Sequence, residues 1–312
     1  MRDRQPSPGN FAHMALASTD YRSDLFQEAL SACAQPQETQ RLSASVVGKR
    51  ETGSGRLGAP FRFDGGKTLL FNYGYGRQNL LRVFDVEAGS AEDWDIDFQP
   101  FSFADDPHRN LLWMIDPSGF LARGFSLSGR EVLTVPIPER TPEGEALVPR
   151  HLAAGKNTLC ISYVAETDGI MAIAIDPTEG EPVFLRRRLP ATDRIYCMDD
   201  LLVTLHTSPN SVMIHSLRQE GITPLRSFPV RGEPHTLAWV RGGFVVCAAE
   251  EVVRFESGSG RQERIRLSDL PGVPAMEWPM TAQAANDEFW LKDWGSGTMY
   301  RIRIHQSDTA HE

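Results

Sequence analysis

A repeat constrains this chain more than any other feature. From Leu57 to His305 the sequence returns six times to the same order of short apolar runs and turns, with a period of about 41 residues. One part of the unit is a strand-like run that in most copies closes in turn chemistry: Asn79–Gly89, Gly119–Gly129, Gly169–Gly180, Ser211–Gly221, Glu251–Gly258 and Gly297–Ile304. Upstream of each lies a short segment, often led by proline: Pro60–Phe63, Pro100–Phe103, Pro149–Leu152, Arg194–Cys197, Pro234–Leu237 and Pro279–Ala282. Between the two sits another apolar run, such as Asn110–Ile115, Thr158–Tyr163 or Phe244–Cys247. The first five units add a fourth strand, as in Glu131–Pro136 and Thr223–Pro229. A linear array of such units would expose open sheet edges, which closure into a ring removes.

The sixth unit stops after its third strand, at His305, while Thr39–Val47 near the other end is a free strand-like segment. The pattern predicts that 39–47 supplies the missing fourth strand and closes a ring. The unit size, the strand count and this closure together resemble the six-bladed β-propeller class, over residues 39–305. The expected fold is therefore all-β, with four-stranded antiparallel blades at about 57–99, 100–138, 146–190, 191–230, 231–267 and 268–305. The resemblance is architectural. No Gly-His…Trp-Asp signature, regular Gly-Gly doublet or Ser-x-Asp-x-Gly-x-x-Trp box runs through the units. Seven shorter blades and a two-domain sandwich are the rival readings; the sandwich leaves the in-phase repeat unexplained.

Outside the repeat, residues 1–38 hold a polar, proline-bearing start and one helical pattern. Leu25, Phe26, Ala29, Leu30 and Cys33 fall on one stripe between Asp20 and Ala34, which predicts a short helix docked on the body or on a partner. Residues 306–312 read as a tail. No apolar stretch approaches the length of a membrane span, and the first residues carry no leader pattern. A net charge of −9 argues against a nucleic-acid backbone as partner. Lysine occurs only at Lys49, Lys67, Lys156 and Lys292, an arginine bias that fits a GC-rich, bacterial-like genome. Cys33, Cys160, Cys197 and Cys247 form no CxxC pair, and the last three sit in apolar runs as small buried hydrophobes. A reduced, cytoplasmic protein follows as the simplest expectation.

In a propeller, the loops joining blades and those between second and third strands share one face with the mouth of the central channel, and such loops vary without disturbing the fold. Here they bring Tyr73, Tyr75, Trp278 and Trp294 near Asp116, Glu277, Asp293, Arg194, Arg231 and His206. Aromatic groups with a few convergent polar ones are the usual lining of a small-molecule or peptide pocket. The alternative for Trp278 and Trp294 is a structural cover between the sixth and first blades. The inner strands offer a second set: Arg62, Ser102, His151, Tyr196, Thr236 and Thr281 share one register, with His235 one residue off it. His151 and His235, with Glu233 beside the second, are candidate catalytic or metal-ligating groups. Two histidines make an incomplete metal site, and a structural role suits each as well. The paired carboxylates Asp105–Asp106 and Asp199–Asp200 are expected in turns on the opposite face.

Sharper chemistry is missing from the sequence: no HExxH, GxxxxGK[ST] or GxSxG occurs, and Gly74-Tyr-Gly76 lacks the rest of a dinucleotide loop. Two function classes remain. One is a binding module holding a small molecule, peptide or protein, with Arg62, Tyr73, Tyr75, Asp116, Arg194, His206, Trp278, Asp293 and Trp294 as ligand-binding residues. The other is a propeller enzyme of the lactonase, strictosidine-synthase-like or lyase type, for which His151, His235, Glu233, Glu277 and Asp293 are the raw material. No cofactor is evident, which leaves open a divalent metal at the channel mouth; neither nucleic acid nor membrane is an expected partner.

Overall fold

The structure, a computed structural model, describes residues 39–51, 60–62, 68–73, 80–86, 88–156, 158–165, 169–176, 178, 182–189, 194–198, 201–218, 221–257, 259–276, 278–285, 287–293 and 297–305. The predicted helix at 20–34 and the acidic pair Asp199–Asp200 lie outside them.

Two strands come first, β1 (Thr39–Arg41) and β2 (Ala44–Glu51). The first repeat unit forms β3 (Pro60–Arg62), β4 (Thr68–Tyr73), β5 (Leu80–Asp85) and β6 (Ser90–Asp95). The second forms β7 (Phe103–Asp106), β8 (Leu111–Asp116), β9 (Leu121–Ser126) and β10 (Glu131–Pro136). The third gives β11 (Leu147–Ala154), β12 (Leu159–Ala165), β13 (Gly169–Ile175) and β14 (Pro182–Leu189). The fourth is β15 (Arg194–Met198), β16 (Leu201–Thr207), β17 (Asn210–Arg218) and β18 (Gly221–Pro229). The fifth is β19 (Pro234–Val240), β20 (Gly243–Ala248), β21 (Glu251–Glu256) and β22 (Gln262–Arg266). The last unit has three strands, β23 (Pro279–Ala285), β24 (Glu288–Asp293) and β25 (Thr298–Ile304).

Each unit is its own sheet of neighbouring antiparallel strands, so the described residues hold six sheets with no strand exchanged among the repeats. The N-terminal segment behaves differently from the single strand expected over 39–47. Residues 44–51 pair antiparallel with β25 and complete the sixth sheet, while 39–41 pair parallel with β22 on the outer edge of the fifth. Leu42, between the two strands, is buried in the core shared by these sheets. One short stretch of chain thus ties two sheets together and covers an exposed edge.

The core lies between sheets. Clusters join sheets one and two through Leu81, Trp94 and Met114, two and three through Trp113 and Tyr163, and three and four through Cys160 and Cys197. Others join four and five through Leu205 and Phe244, five and six through Cys247 and Phe289, and six back to one through Trp290, Met299 and Val86. This packing explains the sequence pattern. β8 and β20 are buried at every position because both their faces meet a neighbouring sheet, and they read as unbroken apolar runs. The outer strand β6 buries only Trp94. Glycine is required where backbones meet: a Cβ at Gly243 would lie 1.9 Å from the carbonyl oxygen of Phe255 on the paired strand.

One inner strand departs from its expected place. The ladder of the second sheet starts where predicted, with Phe101 N–H donating to Ile115 O and Ile115 N–H to Ser102 O at 3.1 Å, but its regular part is β7, three residues further on. Asp105 and Asp106 are therefore strand residues rather than turn residues. Their opposite orientations matter below.

Candidate functional site: the central channel and its mouth

The innermost strands β7, β11, β15, β19 and β23 all contribute to one cavity of about 90 Å³ on the axis of the molecule. Their register is set by hydrogen bonds from one sheet to the next. Leu152 N–H donates to Ser102 Oγ at 3.2 Å, and Thr281 N–H donates to Thr236 Oγ1 at 2.6 Å. The Thr236 and Thr281 hydroxyls also meet at 3.1 Å, and a backbone hydrogen bond from Leu237 reaches the Tyr196 hydroxyl. The register Ser102, His151, Tyr196, Thr236 and Thr281 thus borders the cavity, one position per sheet. Arg62 occupies the corresponding strand of the first sheet, with a side chain outside the described residues.

Polar groups in this lining are unevenly served. Burial of Tyr196 pushes its hydroxyl pKa up, against the opposing pull of Arg194 and the Leu237 hydrogen bond, with a further push from Asp105. Asp105 itself lies on the wall, and loss of water raises its carboxyl to about 6; its own backbone N–H works against this and the charge of Asp106 with it. No other described group bonds to the Asp105 side chain. Asp106, one residue on, points between sheets two and three and is fully partnered: it accepts from Arg109 Nη1 at 2.8 Å, Arg109 N–H at 3.0 Å and Trp113 Nε1 at 3.0 Å. The same guanidinium continues to the carbonyl of Lys156 at 2.8 Å, clasping sheet three.

His151 and His235, expected to face each other, do not. His151 is half-buried on the cavity wall. His235 is buried outside the cavity lining, with Nδ1 3.2 Å from Pro279 O, and desolvation lowers its pKa against that hydrogen bond. Its ring carries Trp278, stacked at 4.9 Å with 9° between planes. Trp278 is 52% exposed, so it does not cover a core; it stands at the entry of β23 with its N–H held by Asp293 Oδ1 at 3.1 Å. Phe101 and Val148, at the entries to β7 and β11, are also exposed. Arg194 lines the cavity from the exposed start of β15.

Two expected ligand residues are held within the fold. His206 is not in a loop: it is buried in β16, its Nε2 2.7 Å from Thr204 Oγ1, which also meets His215 Nε2 at 3.1 Å. A strand two residues longer than predicted draws it in. Asp116 ends β8, where Oδ1 receives Ser118 N–H, Ser118 Oγ–H and Gly119 N–H, and Oδ2 faces Arg123 at 3.4 Å. It caps the hairpin turn. Glu233 and Arg231 are exposed before β19, where the Arg231 N–H donates to Glu251. Tyr75, Glu277 and Trp294 lie outside the described residues, as does the side chain of Tyr73. Sequence reasoning missed Asp105 and also Lys292, fully buried beneath Asp293 with Nζ donating to its carbonyl at 3.1 Å; desolvation lowers the Lys292 pKa to about 8 against the pull of Asp293. Among the described residues no three His, Cys, Asp or Glu side chains are grouped to hold a metal.

Comparison with solved structures gives the class of fold. The chain is similar to a virginiamycin B lyase from Staphylococcus aureus (TM-score 0.56, 11% identity, 84% of this chain and 100% of that one). It is equally similar to the Cps50 (Swd1) β-propeller domain of Myceliophteria thermophila (TM-score 0.57, 10% identity, 84% and 100%). A gluconolactonase from Xanthomonas campestris superposes with TM-score 0.55 at 13% identity, over 85% of this chain and 87% of that one. No protein-family model matches the sequence, and no curated protein matches it. The chain is an all-β protein of β-propeller architecture; at these identities the likeness extends to the fold alone. No described helix is long and apolar enough to cross a membrane.

Proposed function

We propose that the protein is a binding module: six blades in a closed ring, with strand 44–51 as the closing element, holding a small molecule or peptide at the mouth of the central channel. The observation that carries this reading is Trp278. A large aromatic ring, 52% exposed, is stacked on the buried His235 and fixed at its backbone by Asp293. Burial of a ring stabilises folding, so an exposed one held rigid from below suits a contact surface, where pre-ordering lowers the cost of binding. Phe101 and Val148, at the entries to β7 and β11, are exposed as well. The three described cysteines, Cys160, Cys197 and Cys247, are buried and unbridged, which favours a reducing, cytoplasmic setting.

Ligand-observed NMR against a set of aromatic fragments tests the reading. Binders are expected, and Trp278→Ala is expected to remove their signals while leaving the melting temperature nearly unchanged. Fragment signals indifferent to that substitution would refute the mouth as the binding face.

A second reading has one observation in its favour. Asp105, His151 and Tyr196 line one cavity, and a carboxyl raised to about 6 is suited to proton transfer near neutrality. The structural neighbours include a lyase and a lactonase, so lactone opening and lyase assays are the first to run. Turnover abolished by Asp105→Asn would favour the enzyme.

A further inference from the structure

We propose that a second site, at the outer seam between sheets four and five, takes the phosphate group of a small phosphorylated ligand, held by Arg41, Arg231 and Arg266. The site is separate from the channel mouth and does not depend on the reading of that mouth as a binding face.

Three stretches of chain converge there. A cavity of about 400 Å³ opens where β1 lies along β22. Four arginines line it: Arg41 at the end of β1, Arg231 between β18 and β19, and Arg264 and Arg266 at the end of β22. Alternation puts Arg264 and Arg266 on one face of β22, and Arg41 stands opposite Arg264 in the parallel ladder. Their duties differ. Arg264 serves the fold: Nη1 donates to the buried Glu251 at 2.7 Å, and Nη2 donates to Pro229 O at 2.7 Å and Gln262 Oε1 at 2.9 Å. The other three are exposed, and among the described residues their guanidinium groups make no hydrogen bond or ion pair. Their backbones are nevertheless fixed. Arg231 N–H donates to Glu251 Oε1 at 2.7 Å, Leu42 N–H beside Arg41 to Arg264 O at 2.8 Å, and Leu267 N–H beside Arg266 to Glu250 O at 3.0 Å. Anchoring of this kind lowers the cost of ordering the side chains around a ligand.

Charge selects the ligand. Like charges gathered around one concavity repel, and an anion among them relieves the repulsion. Of the two lining carboxylates, Glu251 is committed to Arg264, and Asp269 accepts from Ser268 Oγ at 3.3 Å. Three guanidinium groups against Asp269 leave two positive charges, which a phosphate monoester, at roughly −1.5 to −2 near neutral pH, matches. A single carboxylate supplies half of that. The planar fork of arginine also suits phosphate oxygens, which can be met bidentately. The volume falls in the range of small-molecule sites, roughly 300–1,000 Å³, so a sugar-sized body fits beside the phosphate. A net charge of −9 opposes a long polyanion and leaves a small ligand as the fitting one.

The test is calorimetric titration of the full chain with ribose 5-phosphate, with ribose as its neutral counterpart. Ribose 5-phosphate is expected to bind at least about tenfold more tightly than ribose. Inorganic phosphate should displace it at concentrations where sodium chloride of equal ionic strength does not. Arg41→Gln, Arg231→Gln and Arg266→Gln should each weaken binding about fivefold or more, and lysine at the same positions by less. The melting temperature should stay nearly unchanged, because these side chains are exposed. Arg130→Gln removes an exposed arginine in sheet two and should leave binding as it was. No saturable binding, equal binding of ribose, or equal weakening by Arg130→Gln would each overturn the proposal. Trp278→Ala should have no effect on ribose 5-phosphate; a loss of binding there would put the phosphate at the channel mouth and overturn this assignment while the mouth stands.

Discussion

Asp105 and Asp106 are chemically identical neighbours with opposite surroundings. Alternation along β7 sends one side chain into the channel and the other between sheets two and three. In the interface every oxygen is met by a donor, and the carboxylate becomes a fastener: Arg109 bonds both Asp106 and the backbone of the next sheet. In the channel the carboxyl is desolvated and left to its own backbone N–H. The contrast teaches where this architecture spends its polar groups. The interface carboxylate closes its hydrogen bonds within the sheets it joins, whereas the one on the axis does not.

Substitutions can break this contrast, and the largest effect is expected at the interface. Asp106→Ala strands a partly buried guanidinium and the Trp113 N–H, and should cost about 3 kcal/mol or more in denaturant unfolding. Thr236→Val removes the acceptor of the buried Thr281 N–H on the channel register; a loss of about 1–2 kcal/mol is expected by the same measurement. Asp105→Asn should act in the other direction and stabilise, on the order of 1 kcal/mol at pH 8. The sign follows from the raised pKa. Between about 4, where an unfolded aspartate titrates, and about 6, the folded protein keeps a proton that the unfolded chain has lost, so stability falls with rising pH across that window. The advantage of the asparagine should therefore vanish below pH 4 and be complete above pH 6, as parallel melting curves of the two proteins would reveal. Trp278→Ala comes last, at about 0.5 kcal/mol or less, because the ring is already largely in water; its consequence should appear in ligand binding instead.

Much of the fold was legible because the two periodicities of a propeller are written locally. Alternation marks outer strands such as β10, continuous apolar runs mark those packed on both faces, and the recurrence of both marks the unit. The channel register was legible for the same reason: Ser102, His151, Tyr196, Thr236 and Thr281 hold equivalent places in their units, and each borders the cavity. The site was legible only in part. His206 lies in a strand that outruns its predicted end, Asp116 is consumed by its own turn, and His235 faces away from His151 under Trp278. A shift of one residue reverses which face a side chain takes, and no local signal fixed that phase.

The amino-acid sequence by itself determined the units, their strands and the terminal segment available to complete the last of them, since these depend on short-range pattern. Only the tertiary structure decided that the N-terminal segment divides between two sheets, that Trp278 stands exposed on a buried histidine, and that of two adjacent aspartates one is fastened and one faces the channel. Such outcomes depend on which groups from distant units meet. A desolvated carboxylate and a paired one look alike until the neighbours arrive.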